Sequence, residues 1–323
     1  MLRETSKIKQ IKDTFGEDIG RIAIIVVFFI TMSIASPYFL NMRNLMNILL
    51  NISLQGITAI GMTAVIITGG IDISVGGVCA MTAWIAASLM KTGTHWVMAC
   101  ICAIVIAAMC GSINAFSIGI MKIPPMIATL AMMNMTRGIQ TVISRGTTIT
   151  GLPEAFQLIG KGSIFGIIPI PAIIVVGLYL IASWFMNKTI IGRCIYAVGG
   201  NPEAARISGI NNTKILFFAY TMCSILSCIA GLIFVSRTNS APATLGYNLE
   251  MKAIMAAVIG GTSVTFGGKG KLLGTFLGVI IVGLITNALD LLGVSAYYQQ
   301  FIQGLMVLAV VMFEAIRTNR KTK

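Results

Sequence analysis

The sequence predicts an all-α protein, a polytopic bundle of transmembrane helices that forms a single domain over residues 1–323. Its composition is the first observation, since 56% of the 323 residues are hydrophobic and only 10% are charged, whereas soluble domains carry about 25% charged residues. The hydrophobic residues also fall in runs of about 16 to 25 residues, the length that crosses a hydrocarbon core of about 30 Å as helix. These runs lack the period-two alternation of barrel strands, so the backbone must pair internally as helix.

About ten hydrophobic runs follow one another along the chain, separated by polar connectors. Pro124 and Pro169 stand at the start of two of them, where the missing N–H costs a helix little. The second and third runs almost merge, and the eighth is short and interrupted by glycine. The predicted spans are residues 20–36, 44–68, 72–90, 95–121, 124–143, 169–186, 214–236, 251–267, 272–292 and 297–315.

Basic residues lie mainly in the connectors and terminal segments, which predicts that both termini are cytoplasmic. With ten spans and the N-terminus inside, about sixteen of the 23 Lys and Arg residues fall on the cytoplasmic side and about six outside, the bias of the positive-inside rule. The formal net charge of +13 therefore reflects topology. No soluble region is large enough for a basic groove, so we expect membrane lipid and no nucleic acid as a partner.

Residue types that carry catalysis or bind metals are scarce in the sequence. It contains a single histidine, His95, and seven cysteines without a CxxC pair, which excludes the common zinc-ligand sets. The GxxxxGK[ST], HExxH and GxSxG patterns are also absent. The sequence thus predicts a protein that is not an enzyme, has no cofactor and takes any energy it needs from a separate partner.

The connector at residues 187–213 contains a well-specified short helix. Asn201 suits the N-cap, and Pro202 suits the first helical position. Glu203 is favourable beside the positive helix end, and Gly209 can adopt the left-handed conformation that ends a helix. About two helical turns are therefore predicted on the cytoplasmic side.

This short helix has two interpretations that its capping pattern alone does not separate. It is either a rigid knob for a groove on another protein, or a helix that rests on the membrane surface. In the first case small Ala204 and Ala205 permit close approach, while Glu203 and Arg206 set the register. The residues assigned to the helix are Asn201, Pro202, Glu203, Ala204, Ala205, Arg206, Ile207, Ser208 and Gly209.

Polar side chains inside the hydrophobic runs are candidates for a translocation path. Ionisable groups in lipid usually face a bundle interior or a water-filled cavity, and Arg137 has Asn134 and Gln140 on the same helix face. Plentiful Asn and Gln without a ladder of acids favour an uncharged polar solute. The alternatives are helix–helix hydrogen bonds and, for Asp72, a position at a span end. The path candidates are Asn51, Gln55, Asp72, Asn114, Asn134, Arg137 and Asn287.

Two glycine-rich segments, residues 69–77 and 260–268, are similar to each other. Their alignment matches Gly69 with Gly260 and Gly70 with Gly261, and each segment follows an apolar run. The similarity indicates either two related halves, as in many transporters, or chance agreement between short glycine-rich stretches.

Several segments together resemble the permease subunits of ribose-type ABC importers, a family that also serves other simple sugars. The resemblance covers essentially the whole chain, with a minor departure at residue 271, where Lys stands in place of the usual Arg. The segments are IGMT at residues 60–63, GIDISVG at 70–76, IYAVGGNPEAARISGIN at 195–211, IGGTS at 259–263 and LLGVSAYYQ at 291–299.

The resemblance implies a permease in a bacterial cytoplasmic (inner) membrane that translocates a monosaccharide, with ribose as the first candidate. It also implies a second permease copy, a cytoplasmic ABC ATPase, a sugar-binding protein outside, and a coupling helix at residues 201–209 that seats in the ATPase. The alternatives are a different sugar, an autoinducer or a branched-chain amino acid as the substrate, or an ion-coupled secondary transporter.

Overall fold

The computed structural model of the chain describes residues 2–166 and 168–321, and the side chains of residues 18–166, 168–295 and 297–312. These residues form thirteen α-helices and four two-residue β-strands, with β1 antiparallel to β4 and β2 antiparallel to β3. Residues 1, 167, 322 and 323 of the predicted domain lie outside the described residues. The elements are α1 (Leu2–Ala35), α2 (Met42–Ile67), α3 (Val75–Lys91), α4 (Trp96–Gly119), α5 (Pro125–Ser144), β1 (Ile149–Thr150), α6 (Glu154–Lys161), β2 (Ser163–Ile164), β3 (Ile168–Pro169), α7 (Ile170–Lys188), α8 (Ile190–Gly200), α9 (Pro202–Ile207), α10 (Asn212–Thr238), β4 (Ser240–Ala241), α11 (Leu249–Ile259), α12 (Leu272–Leu291) and α13 (Ala296–Lys321).

Each predicted span overlaps a helix, and six of these helices are long and apolar enough to cross a membrane. Within the described residues, the helices α3, α5, α11 and α13 do not meet the same criteria of length and composition. The polytopic helical architecture is therefore confirmed, while the count of ten spans stays a prediction. The six crossing candidates are Asp18–Ala35 of α1, and α2, α4, α7, α10 and α12.

The predicted eighth span, residues 251–267, is wrong in its length. Helix α11 has eleven residues, about 16 Å at 1.5 Å per residue, which is too short for a hydrocarbon core of about 30 Å. It ends because Gly261 adopts a positive φ of 84°. The N–H of Thr262 then bonds back to the carbonyl of Ala257 at 2.9 Å, the Schellman arrangement that closes a helix.

Helix α2 ends in the same way, which corrects the alignment of the two glycine-rich segments. Gly69 has a φ of 87°, and the N–H of Gly70 bonds to the carbonyl of Val65 at 3.2 Å. The structure therefore matches Gly69 with Gly261, one residue away from the sequence alignment. The shared feature is a helix ending that requires a left-handed residue, which glycine adopts without the steric cost of a Cβ.

Helices α2 and α10 pack against each other at the centre of the bundle. Helix α10 also packs against α3 and α4, and α2 against α7, α11 and α12. Small residues allow the backbones to approach: a Cβ at Gly61 would lie 2.6 Å from Cα of Cys223, and one at Gly111 would lie 2.7 Å from Cα of Thr221. With 27 residues, α10 extends about 40 Å and connects the two ends of the bundle. We call these the α9 end, with residues 189–213 and 260–271, and the far end, with residues 239–248.

The connector at residues 187–213 contains a helix, α8, that the sequence analysis missed. Thr189 is its N-cap, and the side-chain oxygen accepts a hydrogen bond from the N–H of Gly192 at 3.1 Å. Ile195 and Val198 are buried, so one face of α8 belongs to the core. Three glycines and three isoleucines in eleven residues weaken the local signal for this helix, because glycine is unfavourable in a helix interior by about 1 kcal/mol and only tertiary packing compensates for it.

Candidate functional site

Helix α9 is capped at both ends as its sequence predicts. Oδ1 of Asn201 accepts hydrogen bonds from the N–H groups of Glu203 and Ala204, at 3.1 and 3.0 Å. Gly209 has a φ of 84°, and the N–H of Ile210 bonds to the carbonyl of Ala205 at 3.0 Å. These local bonds define the helix with little help from the rest of the chain.

The outer surface of α9 carries an ion pair and an apolar side chain. Arg206 donates to both carboxylate oxygens of Glu203, at 2.6 and 3.2 Å, and this hydrogen bonding holds the pKa of Glu203 below its ordinary value. Ile207 is 77% exposed, so α9 presents charge and apolar area together. The exposed Ile on this well-capped helix is available for contact with a partner protein.

The two alanines of α9 do not share a face, which corrects the prediction that both permit approach of a partner. Ala205 is only 4% exposed and belongs to the chain's own core with Ile195 and Val198. Ala204 is exposed. The turn of about 100° between successive residues of a helix separates them, so Ala204 alone is available to a partner.

Two close contacts join the α9 end to the last turn of helix α2, and a third contact holds the α9 end together. The N–H of Gly268 donates to the carbonyl of Ile67 at 2.7 Å, and the hydroxyl of Tyr196 donates to the carbonyl of Gly270 at 3.1 Å. Gly199 of α8 packs so closely that a Cβ there would lie 1.7 Å from the carbonyl oxygen of Ile67. A displacement of the α8–α9 segment therefore acts directly on the last turn of α2.

The predicted path residues Asp72 and Asn114 meet in a buried cluster that begins at this turn. Oδ1 of Asp72 accepts hydrogen bonds from the N–H and the hydroxyl of Ser74, at 3.0 and 2.5 Å. Nδ2 of Asn114 donates to the same hydroxyl at 3.0 Å, and Thr129 donates to the carbonyl of Ile71 at 3.1 Å. These bonds fasten the α2–α3 connector to α4 and α5.

A cavity of about 210 Å³ lies toward the far end of the bundle and contains one predicted path residue, Gln55. Its wall is formed by α2, the last turns of α10, the connector before α11 and the start of α11. The wall is amphipathic, with apolar side chains and a few polar groups, as small-molecule sites commonly are. The lining residues are Leu54, Gln55, Phe234, Pro242, Thr244, Leu245, Gly246, Tyr247, Leu249 and Lys252.

The predicted polar face of α5 is divided by the structure. Nη1 of Arg137 donates to the carbonyl of Leu245 at 2.6 Å, and its guanidinium lies 4.5 Å from the ring centre of Tyr247. Gln140 donates to the carbonyl of Ala243 at 3.1 Å. Arg137 and Gln140 thus hold the connector that lines the cavity, whereas Asn134 is exposed and takes no part.

The remaining candidates, Asn51 and Asn287, are engaged in contacts between helices. Asn287 and Asn44 exchange two amide hydrogen bonds, at 2.7 and 3.1 Å, which join α12 to the start of α2. Oδ1 of Asn51 accepts from Arg237 at 3.4 Å. Of the seven predicted path residues Gln55 alone lines the cavity, and a path through the other six stays a prediction.

Sequence reasoning missed Thr244, Tyr247 and Lys252 as lining residues of the cavity. The sequence did contain a signal for Lys252, since Lys252 and Glu250 are the two charged residues in the first turns of a largely apolar helix, and such charges generally face the protein interior. Thr244 and Tyr247 lie in a connector, and only the long-range contacts of Arg137 and Gln140 place that connector over α2.

Comparison with known proteins agrees with this architecture. Residues 44–311 match the family model described as a branched-chain amino acid transport system permease component. The chain is 41% identical to the ribose import permease protein of Bacillus subtilis over 304 residues, which is 94% of each chain. It is 40% identical to that of Escherichia coli K12 over 296 residues, 91% of this chain and 92% of the relative. The ribose import permease protein of Haemophilus influenzae is 40% identical over 325 residues, 99% of each chain.

The chain belongs to this family of ABC-importer permeases. The permease is accordingly a multi-pass membrane protein, and its activity is the transport of a solute. No solved structure matches the chain.

Proposed function

We propose that the permease forms the membrane channel of an ABC importer that carries a monosaccharide, with ribose as the first candidate, into a bacterial cytoplasm. The observation that carries the proposal is the identity of about 40% to ribose import permeases over more than nine-tenths of the chain. Wide coverage matters because both the cavity and α9 fall inside the aligned length. The family description names branched-chain amino acids, which makes leucine the competing solute.

We propose ten crossings of the bacterial inner membrane with both termini in the cytoplasm. The direction of the helices supports this: α2 ends at the α9 end, where Ile67 accepts from Gly268, and α10 starts there. Arg21 near the start of the apolar part of α1 donates to the carbonyl of Ile259 at 2.9 Å, toward the same end. The far end then faces outward, and α11 with residues 260–271 completes one crossing as a broken helix.

We propose four partners for the permease: membrane lipid, a cytoplasmic ABC ATPase, an extracytoplasmic sugar-binding protein and a second copy of the chain. Helix α9 is the element proposed to seat in the ATPase. Its exposed Ala204 and Ile207 support this role, and so does the path of contacts from α8 to the last turn of α2. A single permease domain over the whole chain remains part of the proposal.

The proposed mechanism is alternating access. Closure of the ATPase on ATP moves α9 and α8, and the contacts with Ile67 transmit this movement to α2, whose middle lines the cavity. A partner shifts such an equilibrium only by its differential affinity for the two states. The loaded binding protein on the far end and ATP on the α9 end supply that difference, and the permease itself needs only weak affinity for sugar.

Uptake by the reconstituted importer tests this function. Proteoliposomes that contain the permease, its ATPase and its binding protein should accumulate radiolabelled ribose when ATP is present on the ATPase side. Excess unlabelled ribose should abolish this uptake, and excess leucine should leave it unchanged. Competition by leucine, or uptake driven by an ion gradient without ATP, would contradict the proposal in favour of an amino-acid importer or a secondary transporter.

A further inference from the structure

The cavity near the far end contains two polar side chains that the protein leaves without hydrogen bonds. Gln55 is 4% exposed, and its buried Oε1 has no hydrogen-bond partner within the described part of the chain. The half-buried Lys252 makes no hydrogen bond to any described residue. Both line the same cavity. Buried polar groups normally find partners, so an unpaired pair in one cavity indicates a ligand or water that supplies them.

The chemistry of the two groups complements a hydroxyl-rich molecule. A carboxamide donates and accepts, and an ammonium group donates three hydrogen bonds, so together they can bind hydroxyl groups in both roles. The hydroxyls of Thr244 and Tyr247 add further donors and acceptors at the rim. Apolar side chains of the cavity wall, Leu54 and Phe234 among them, provide a surface on which the C–H groups of a ring can pack.

The charge around the cavity favours a neutral solute over an anion. Asp290 attracts Lys252 electrostatically, so the positive charge of the lysine is partly balanced by a carboxylate. A neutral polyhydroxylated ring gains these hydrogen bonds without requiring an unbalanced positive charge in the cavity wall.

From these observations we propose that Gln55 and Lys252 form a solute-contact site for an uncharged polyhydroxylated ring in the outer half of the translocation path. The site rests on the proposed function, since it receives the sugar released by the binding protein. Its few polar groups give weak, transient contact, which transport requires because a tightly held solute is not released. Gln55 differs in this respect from Asn51 and Asn287, whose side chains already form hydrogen bonds between helices.

The test measures sugar transported per ATP hydrolysed in proteoliposomes with the complete importer and radiolabelled ribose. Gln55→Met and Lys252→Met keep side-chain length but remove the hydrogen bonds, and each should lower this ratio about tenfold. ATP hydrolysis stimulated by loaded binding protein should stay within about twofold of wild type, because α9 is unaltered. Lys252→Gln keeps a donor and should restore part of the ratio.

Asn134→Met is the matched control, because it removes a carboxamide of similar kind from an exposed position of α5 that takes no part in the cavity. It should leave the ratio at the wild-type value. Equal ratios in wild type, Gln55→Met and Lys252→Met would overturn the site, and so would a parallel fall of uptake and ATP hydrolysis, which indicates a structural role. Failure of the proposed function is distinguishable, since the wild-type importer itself would then show no ribose uptake.

Discussion

Adjacent alanines in α9 offer a sharp test at the scale of a residue. Ala204 is exposed, whereas Ala205 is 4% exposed against α8. Ala204→Glu places a long charged side chain on the surface proposed to contact the ATPase and should reduce co-purification of the ATPase by about tenfold or more, since a charge at an interface core without a partner costs several kcal/mol. Ala205→Glu buries that charge inside the chain, so it should lower the yield of folded permease instead.

Ala204→Ser is the control for this comparison, because it adds one small polar atom and should retain the ATPase. The amounts of folded protein are compared by size-exclusion chromatography in detergent before the co-purification is quantified. If Ala204→Glu retains the ATPase at the wild-type ratio, α9 is not the coupling helix and rests on the membrane surface.

The paired amides of Asn44 and Asn287 give a second prediction at the residue scale. Two mutual hydrogen bonds, at 2.7 and 3.1 Å, make each residue the other's partner. Asn44→Ala and Asn287→Ala should each destabilise the protein, and the double variant should cost less than the sum, with a coupling energy of about 0.6 to 2 kcal/mol. Unfolding midpoints in detergent complete the double-mutant cycle. Strict additivity would show that the amides do not act as a pair.

Helix packing supplies the prediction at the scale of an element. Gly111 of α4 approaches α10 so closely that a Cβ would meet Cα of Thr221 and the carbonyl of Tyr220 at 2.7 Å each. Gly111→Ala must therefore push the helices apart, at a cost of about 1–3 kcal/mol. Gly138 of α5 has open space in place of a Cβ, so Gly138→Ala should gain up to about 1 kcal/mol of helix propensity. Thermal unfolding of the two variants should shift in opposite directions, and equal shifts would contradict the packing of α4 on α10.

The elements that the sequence predicted well are those whose boundaries depend on local bonds. Asn201 and Gly209 delimit α9 through side-chain and backbone contacts within a few residues, and both caps are confirmed. Helix α8 was missed because its stability comes from burial of Ile195 and Val198 against distant parts of the chain. Helix α11 was predicted too long because hydropathy continues past Gly261, where backbone conformation ends the helix.

At the scale of the whole molecule, composition predicted the polytopic helical bundle, but it did not predict the cavity. The cavity combines Gln55 of α2 with Lys252 of α11 and with a connector held by Arg137 of α5. These residues are up to about 200 positions apart in the sequence, and their meeting depends on helix order in space, which no local pattern contains. Polarity within a span indicated candidates, and only tertiary structure separates a lining residue from a helix–helix contact.

The last prediction concerns the dependence of the whole permease on its proposed partners for energy. Within the described residues no group of three or more His, Cys, Asp or Glu is placed to hold a metal ion, and the sequence lacks a phosphate loop of the GxxxxGK[ST] kind. The purified permease alone in proteoliposomes should neither hydrolyse ATP nor accumulate ribose under an imposed proton or sodium gradient. Addition of the ATPase and the loaded binding protein should produce both activities together. The ATPase then binds α9 and the binding protein binds the far end, and their different affinities for the two conformations shift the equilibrium between them. Accumulation by the permease alone would require an ion-coupled mechanism, and the contacts from α9 to α2 would then serve stability instead of coupling.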